Sequence, residues 1–90
     1  RESRTVQQLL EPLERLRRAD SQSVLLDTLG VWLAHGGSTQ LSASQLGIHR
    51  NTLRYRLERI ARLSGLDLNR ADHRTQLTLS MMLQAELPSR

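Results

Sequence analysis

From Gly47 to Leu63 the chain reads GIHRNTLRYRLERIARL, and no other stretch limits the fold as much. Leu53, Leu57, Ile60 and Ser64 recur at i, i+4, i+7 and i+11, with Leu63 beside them. That spacing is the apolar stripe of an amphipathic helix. Arg50, Arg54, Arg56, Arg59 and Arg62 are spread over the other sides and opposed only by Glu58, a local charge of +4. Such a helix must be anchored along one side and left open along the rest. No window elsewhere alternates β-branched residues with period two. Phe is absent, and Trp32 and Tyr55 are the only aromatics, so the core must come from Leu, Ile, Val, Met and Ala. The fold expected is all-α: a small bundle of about five helices, containing a helix-turn-helix. Ninety residues with 38% apolar content can bury one modest core.

The other elements follow in order. Thr5 to Arg18 carries Val6, Leu9, Leu10, Leu13 and Leu16 at helical spacing. Pro12 either kinks this helix or, as we prefer, begins a second short one. Residues 1–19 are expected to form an N-terminal connector or packing helix, serving as a dimer contact or as a cover for the core. Asp20-Ser21-Gln22-Ser23 offers N-caps for a helix of about Ser21 to Ala34. Leu25, Leu29, Trp32 and Leu33 are its buried stripe, and His35-Gly36-Gly37 ends it. Ser38 and Thr39 cap a short helix of about Gln40 to Leu46, with Leu41, Ala43 and Leu46 as its informative positions.

Gly47 supplies the permissive dihedrals of a tight turn, and the next helix starts at His49 or Arg50. A short helix, a turn with Gly and a second helix make the helix-turn-helix layout, over about residues 40–63 of a domain spanning 20–90. Arg56 stands where that layout usually has an apolar residue. Either the helix is rotated slightly, or Arg56 pairs with Glu58, Glu11, Glu14 or Asp27. Gly65 closes the helix, and Leu66 and Leu68 are placed to dock on the core. Asn69 is expected to cap a last helix of about Arg70 to Glu86, which Pro88 ends. Leu77, Met81, Leu83 and Ala85 are apolar there, with Leu79 and Met82 adding width, as a dimer interface or a fifth core helix.

The run Ile48-His49-Arg50-Asn51-Thr52-Leu53-Arg54-Tyr55-Arg56-Leu57-Glu58-Arg59-Ile60, followed by Ser64-Gly65-Leu66-Asp67-Leu68, resembles the C-terminal helix-turn-helix domain of PucR/CdaR-type bacterial transcriptional regulators. These regulators control purine catabolism and sugar-diacid use. Thr28-Leu29, Asp72, Arg74 and Leu77 also fit, so the resemblance covers about Leu25 to Leu83. Ser42 beside Ala43 departs from a frequent pair of alanines. The resemblance implies a cytoplasmic DNA-binding output domain, operators bound by a homodimer, and a small-molecule effector sensed by an upstream domain. The chain opens on Arg1, in keeping with a fragment of a longer protein.

Residue chemistry points the same way. Residues at the start of a recognition helix reach deepest into the major groove of double-stranded DNA. Arg50, Asn51 and Arg54 are expected to read base edges: Arg presents paired donors to guanine, and Asn can bond adenine. Thr52 and Tyr55 suit a phosphate, a sugar or a thymine methyl. Thr39, Gln40 and Ser44, with Ser38, can hold backbone phosphates. His49 either joins them or caps the recognition helix. Arg62 is a phosphate contact or simply solvated.

Other functions lose support. His35, His49 and His73 lie on separate elements, Cys is absent, and there is neither a Gly-rich phosphate loop nor a nucleophile motif, so no enzyme, metal or cofactor is expected. No apolar run approaches the roughly 20 residues of a membrane span. Sequence-specific RNA modules need more aromatics. The alternative is a helical protein-interaction or dimerisation module without DNA contact. It would expose an apolar stripe, where this helix exposes Arg, Asn, Thr and Tyr.

Overall fold

A computed structural model describes residues 5–20 and 22–87. Ser21 and Pro88, taken above as helix boundaries, lie outside the described residues. The leucine stripes become five helices: α1 (Val6–Ala19), α2 (Val24–Ala34), α3 (Thr39–Leu46), α4 (Arg50–Ser64) and α5 (Ala71–Glu86). Among the described residues there is no strand. One core joins Leu13 and Leu16 of α1, Leu25, Leu29 and Trp32 of α2, Ala43 of α3, Leu53 and Ile60 of α4, Leu68 of the link and Leu77 of α5. α1 packs on α4 and α5, while α2 packs on α3, α4 and α5.

Pro12 lies inside α1 and does not begin a second helix. An interior proline costs about 3 kcal/mol in an isolated helix. Here the loss is offset by packing. Pro12 is buried with Leu10, Leu13 and Leu16. Next to the carbonyl that its missing N–H would have served, Leu9 C=O accepts the Ser80 hydroxyl of α5 at 2.7 Å. The start of α1 is fixed by a capping box: Thr5 Oγ1 accepts from the Gln8 N–H, and the Gln8 side chain accepts from the Thr5 N–H.

α2 starts three residues later than the caps suggested. Ser23 takes the left-handed conformation, φ 60°, and makes no side-chain cap. Asp20 caps instead, its two carboxylate oxygens accepting from the N–H groups of Leu25 (3.1 Å) and Leu26 (2.8 Å). Asn69 does not cap α5 either. Its N–H donates to Asp67 Oδ1, the Asp67 N–H donates to His73 Nδ1, and Arg70 is the N-cap, without a side-chain bond. Asp72 pairs with Arg70 at 2.8 Å, and the guanidinium, bonded to it, holds this exposed carboxyl below the usual carboxylate range.

Two helices bury only part of their apolar positions. Leu41 is 54% exposed, and the buried positions of α3 are Ser42 and Ala43. A serine is tolerated there because its hydroxyl donates to Ser38 C=O at 2.6 Å. In α5, Ala85, Leu79 and Met82 are exposed, while Leu77 and Ser80 are buried.

α1 also grips the far end of α4. Arg15 donates from Nη2 to Ser64 C=O at 2.7 Å, a cation set on carbonyls that a helix terminus leaves free. Replacing Arg15 with Ala should lower unfolding stability by about 1 kcal/mol in a urea titration; an unchanged midpoint would deny the cap any role. Leu53→Ala, at a position with no exposed surface, should cost about 2–5 kcal/mol. Leu41→Ala should stay within about 0.5 kcal/mol of the parent.

Candidate nucleic-acid interface

The turn between α3 and α4 is set by two hydrogen bonds. Gly47, at φ 69°, donates to Ser44 C=O, and the following N–H, of Ile48, reaches back to Ala43 C=O at 3.1 Å. This is the Schellman pattern, in which the left-handed residue is cheap only for glycine. Ile48 packs on the core, and Ala43, small and buried, lets the turn close over α3. Three residues, Gly47 to His49, therefore separate α3 from α4 and fix the angle between them.

His49 is the N-cap of α4: its Nδ1 accepts the Asn51 N–H at 3.0 Å. The neutral ring then carries its proton on Nε2. Capping does not bury the residue. His49, Arg50, Asn51, Thr52, Arg54 and Tyr55 are all exposed, Tyr55 at 58%. On α3, Gln40 and Ser44 are exposed and Thr39 is half-buried. Of the nine residues singled out by sequence, eight are therefore exposed and one, Thr39, is half-buried. Ser38 Oγ accepts from the Leu41 N–H as the α3 cap, which leaves its O–H to donate.

The arginines of this side differ from most of the others described. Arg15, Arg17, Arg18 and Arg70 each pair with a carboxylate, and Arg74 donates to Leu68 C=O. Among the described residues, none of the five α4 arginines pairs with a carboxylate. Arg54 Nη1 donates to the Asn51 side-chain oxygen at 3.2 Å. Arg56 does not find Glu58, Glu11, Glu14 or Asp27: its Nη1 donates to the Thr28 hydroxyl of α2 at 3.1 Å. That hydroxyl is fully buried and itself donates to Val24 C=O at 2.8 Å. Leu57, the next residue, is half-buried against the core. Arg56 therefore stands beside the apolar stripe of α4 without a carboxylate partner among the described residues.

Sequence reasoning missed Thr28 and Arg15 as supports of α4. The signal for Thr28 was present: a hydroxyl residue on the stripe Leu25, Thr28, Leu29, Trp32 must be buried, and a buried hydroxyl needs partners. Arg15 left no signal, because its partner lies 49 residues away. His35 is held by Gln45 across α2 and α3 and His73 by the Asp67 N–H, and no group of three His, Cys, Asp or Glu side chains among the described residues could hold a metal ion. No helix of the described residues is long and apolar enough to cross a membrane.

Comparison with known proteins bears on residues 25–83, which match the family model of the PucR C-terminal helix-turn-helix domain. The chain is 42% identical over 79 residues to the carbohydrate diacid regulator of Escherichia coli, covering 88% of this chain and 20% of that protein. It is 38% identical over 71 residues to the proline-responsive transcriptional activator PutR of Bacillus subtilis, covering 79% of this chain and 17% of PutR. The DNA-binding transcriptional activator AdeR of the same organism is 32% identical over 75 residues, or 83% of this chain and 18% of AdeR. The chain thus spans about a fifth of the length of these relatives. No solved structure matches. With the match running from the start of α2 into α5, through the turn and the basic helix described above, the chain belongs to the PucR C-terminal helix-turn-helix domain family.

Proposed function

We propose that this chain binds double-stranded DNA sequence-specifically, as the output domain of a bacterial transcriptional regulator, with α4 in the major groove of its operator. One observation carries the reading: the second helix of the helix-turn-helix holds five arginines without a carboxylate partner among the described residues, while of the other described arginines Arg15, Arg17, Arg18 and Arg70 are paired and Arg74 alone is not. A helix is narrow enough to enter that groove, and uncompensated guanidiniums release counterions when phosphates replace solvent. Arg50, Asn51 and Arg54 read bases. His49, through Nε2–H, and Thr52, Tyr55, Thr39, Gln40 and Ser44 hold phosphates or sugars.

The Asn51–Arg54 bond refines which base. Asn51 Oδ1 spends one of its two lone pairs on Arg54, and both amide N–H groups stay free. The pair is then richer in donors than in acceptors, and it favours guanine, whose major-groove edge is two acceptors.

The role is non-enzymatic and cytoplasmic, where bacterial DNA lies. Operators are bound by a homodimer, to which exposed Leu79 and Met82 on α5 could contribute an apolar patch. Any small-molecule effector acts through another part of the longer regulator.

Fluorescence anisotropy on labelled duplex DNA at two salt concentrations tests the reading. Affinity should fall steeply with salt, with a log–log slope of about −0.9 per neutralised phosphate, and should collapse in an Arg50→Ala/Arg54→Ala variant. A folded protein that binds no duplex at low salt, even as a forced dimer, would refute the reading. Sequences selected from a random pool should carry guanine opposite Arg54. Exchanging that guanine for adenine should cost about 1–3 kcal/mol, or tenfold or more; selection of adenine there would contradict the donor-pair reading.

A further inference from the structure

A groove of about 360 Å³ runs beside α4, lined by Asp20, Gln22 and Val24 from the start of α2 and by Thr52, Tyr55, Arg56 and Arg59 from α4. We propose that this groove seats a phosphodiester of the DNA strand that borders the major groove, with Arg56 and Arg59 as its cations and Thr28 as the residue that positions Arg56. The inference rests on the DNA-binding reading above and adds to it a site distinct from the base-reading residues.

Helical geometry separates the two sites. Residues step about 100° around a helix, so Thr52, Tyr55, Arg56 and Arg59, at i, i+3, i+4 and i+7, share one flank of α4. Arg50 and Arg54 fall on the opposite side of the exposed arc. A helix that reads bases with its outer face brings its flank against a phosphate backbone.

The chemistry of the groove suits an anion. Arg56 is held by a neutral hydroxyl and pairs with no carboxylate among the described residues, and one of its five N–H donors is used in that bond. Thr28 is fully buried and already donates to Val24 C=O, which leaves its lone pairs to accept from Arg56. The guanidinium is therefore oriented before any ligand arrives, and less conformational entropy is lost on binding. Arg59 has no carboxylate partner among the described residues and is half-buried on the same flank. Asp20 is the one acid of the lining, and both its oxygens are occupied by the N–H groups of Leu25 and Leu26. Gln22, Thr52 and Tyr55 are exposed and add neutral donors at the rim.

A phosphate site should be indifferent to sequence. The test is therefore a random-sequence 20-base-pair duplex titrated across a salt series with the parent, Arg56→Gln, Arg59→Gln and Thr28→Val proteins, each checked for folding by circular dichroism and urea. Each arginine variant should bind more weakly and show a shallower log–log slope, and the double variant Arg56→Gln/Arg59→Gln should lose about 0.9 of slope, the share of one phosphate. Thr28→Val keeps both charges. It should weaken binding by roughly twofold or more in the parent and leave affinity unchanged in the Arg56→Gln background, because the hydroxyl acts through Arg56. Arg59→Gln removes no hydrogen bond described in the fold, so it keeps the test open if Arg56→Gln is unstable. Unchanged slopes in folded Arg56→Gln and Arg59→Gln, beside lost binding in Arg50→Ala/Arg54→Ala, would overturn the groove and leave α4 as the reader. Additive effects of Thr28→Val and Arg56→Gln would overturn the positioning role. Absence of binding by the parent protein would remove both this inference and the reading beneath it.

Discussion

Leu53 and Ile60 hold α4 to the core, and everything else about the molecule depends on that attachment. Both are fully buried, one two turns beyond the other, among side chains of every other helix. Burying each contributes about 1.5–3 kcal/mol. Against this stands the mutual repulsion of arginines on the same helix, about 0.2–0.5 kcal/mol for each pair spaced i, i+4. Burial wins, so a strongly basic helix can be kept rigid without neutralising its charge. Pairing the arginines with acids would have been the other way to hold α4, and it would have cancelled the positive face.

The ends of α4 are secured by groups that leave that face open. His49 caps the N-terminus with Nδ1, a bond that does not use Nε2. Arg15 bonds the last carbonyl from α1, and Gly65 ends the helix in the left-handed conformation, φ 77°. In the middle, Thr28 takes one N–H of Arg56. Each support comes from a different element, so the position of α4 reports on the whole bundle. α1 takes part in this directly: Leu13 and Leu16 sit in the same core as Leu53.

Much of this was legible in the sequence, and the exceptions have two causes. The period of Leu53, Leu57, Ile60 and Ser64 located α4, and Gly47 with Ala43 located the turn, because periodicity and turn chemistry are local properties. Pro12 and Arg56 were misread because their partners lie far along the chain, and the others because near neighbours compete for the same role. Pro12 reads as a break until the Ser80 hydroxyl and the burial of its ring are known. Ser23 and Asn69 read as caps by type, yet Asp20 reaches over Ser23, and Asn69 is drawn into the turn around Asp67. Leu41 stood among the informative positions of α3 but is exposed, because the helix turns Ser42 and Ala43 inward. Arg56 reads as half of an ion pair because a buried hydroxyl 28 residues earlier cannot be seen from spacing. For the interface, sequence marked nine residues on α3, the turn and α4, of which eight are exposed and Thr39 is half-buried. Which of them touch bases depends on the DNA and is beyond local pattern.

The account stands or falls on where α4 goes. The most direct measurement is dimethyl sulfate footprinting on a duplex selected by the domain itself, since the reagent methylates guanine N7 in the major groove and adenine N3 in the minor groove. The account requires protection of guanine N7 within the site, lost when Arg50 and Arg54 are replaced by Ala, with adenine N3 left reactive. Protection confined to adenine N3, or guanine N7 reactive throughout a fully bound duplex, would contradict a recognition helix in the major groove.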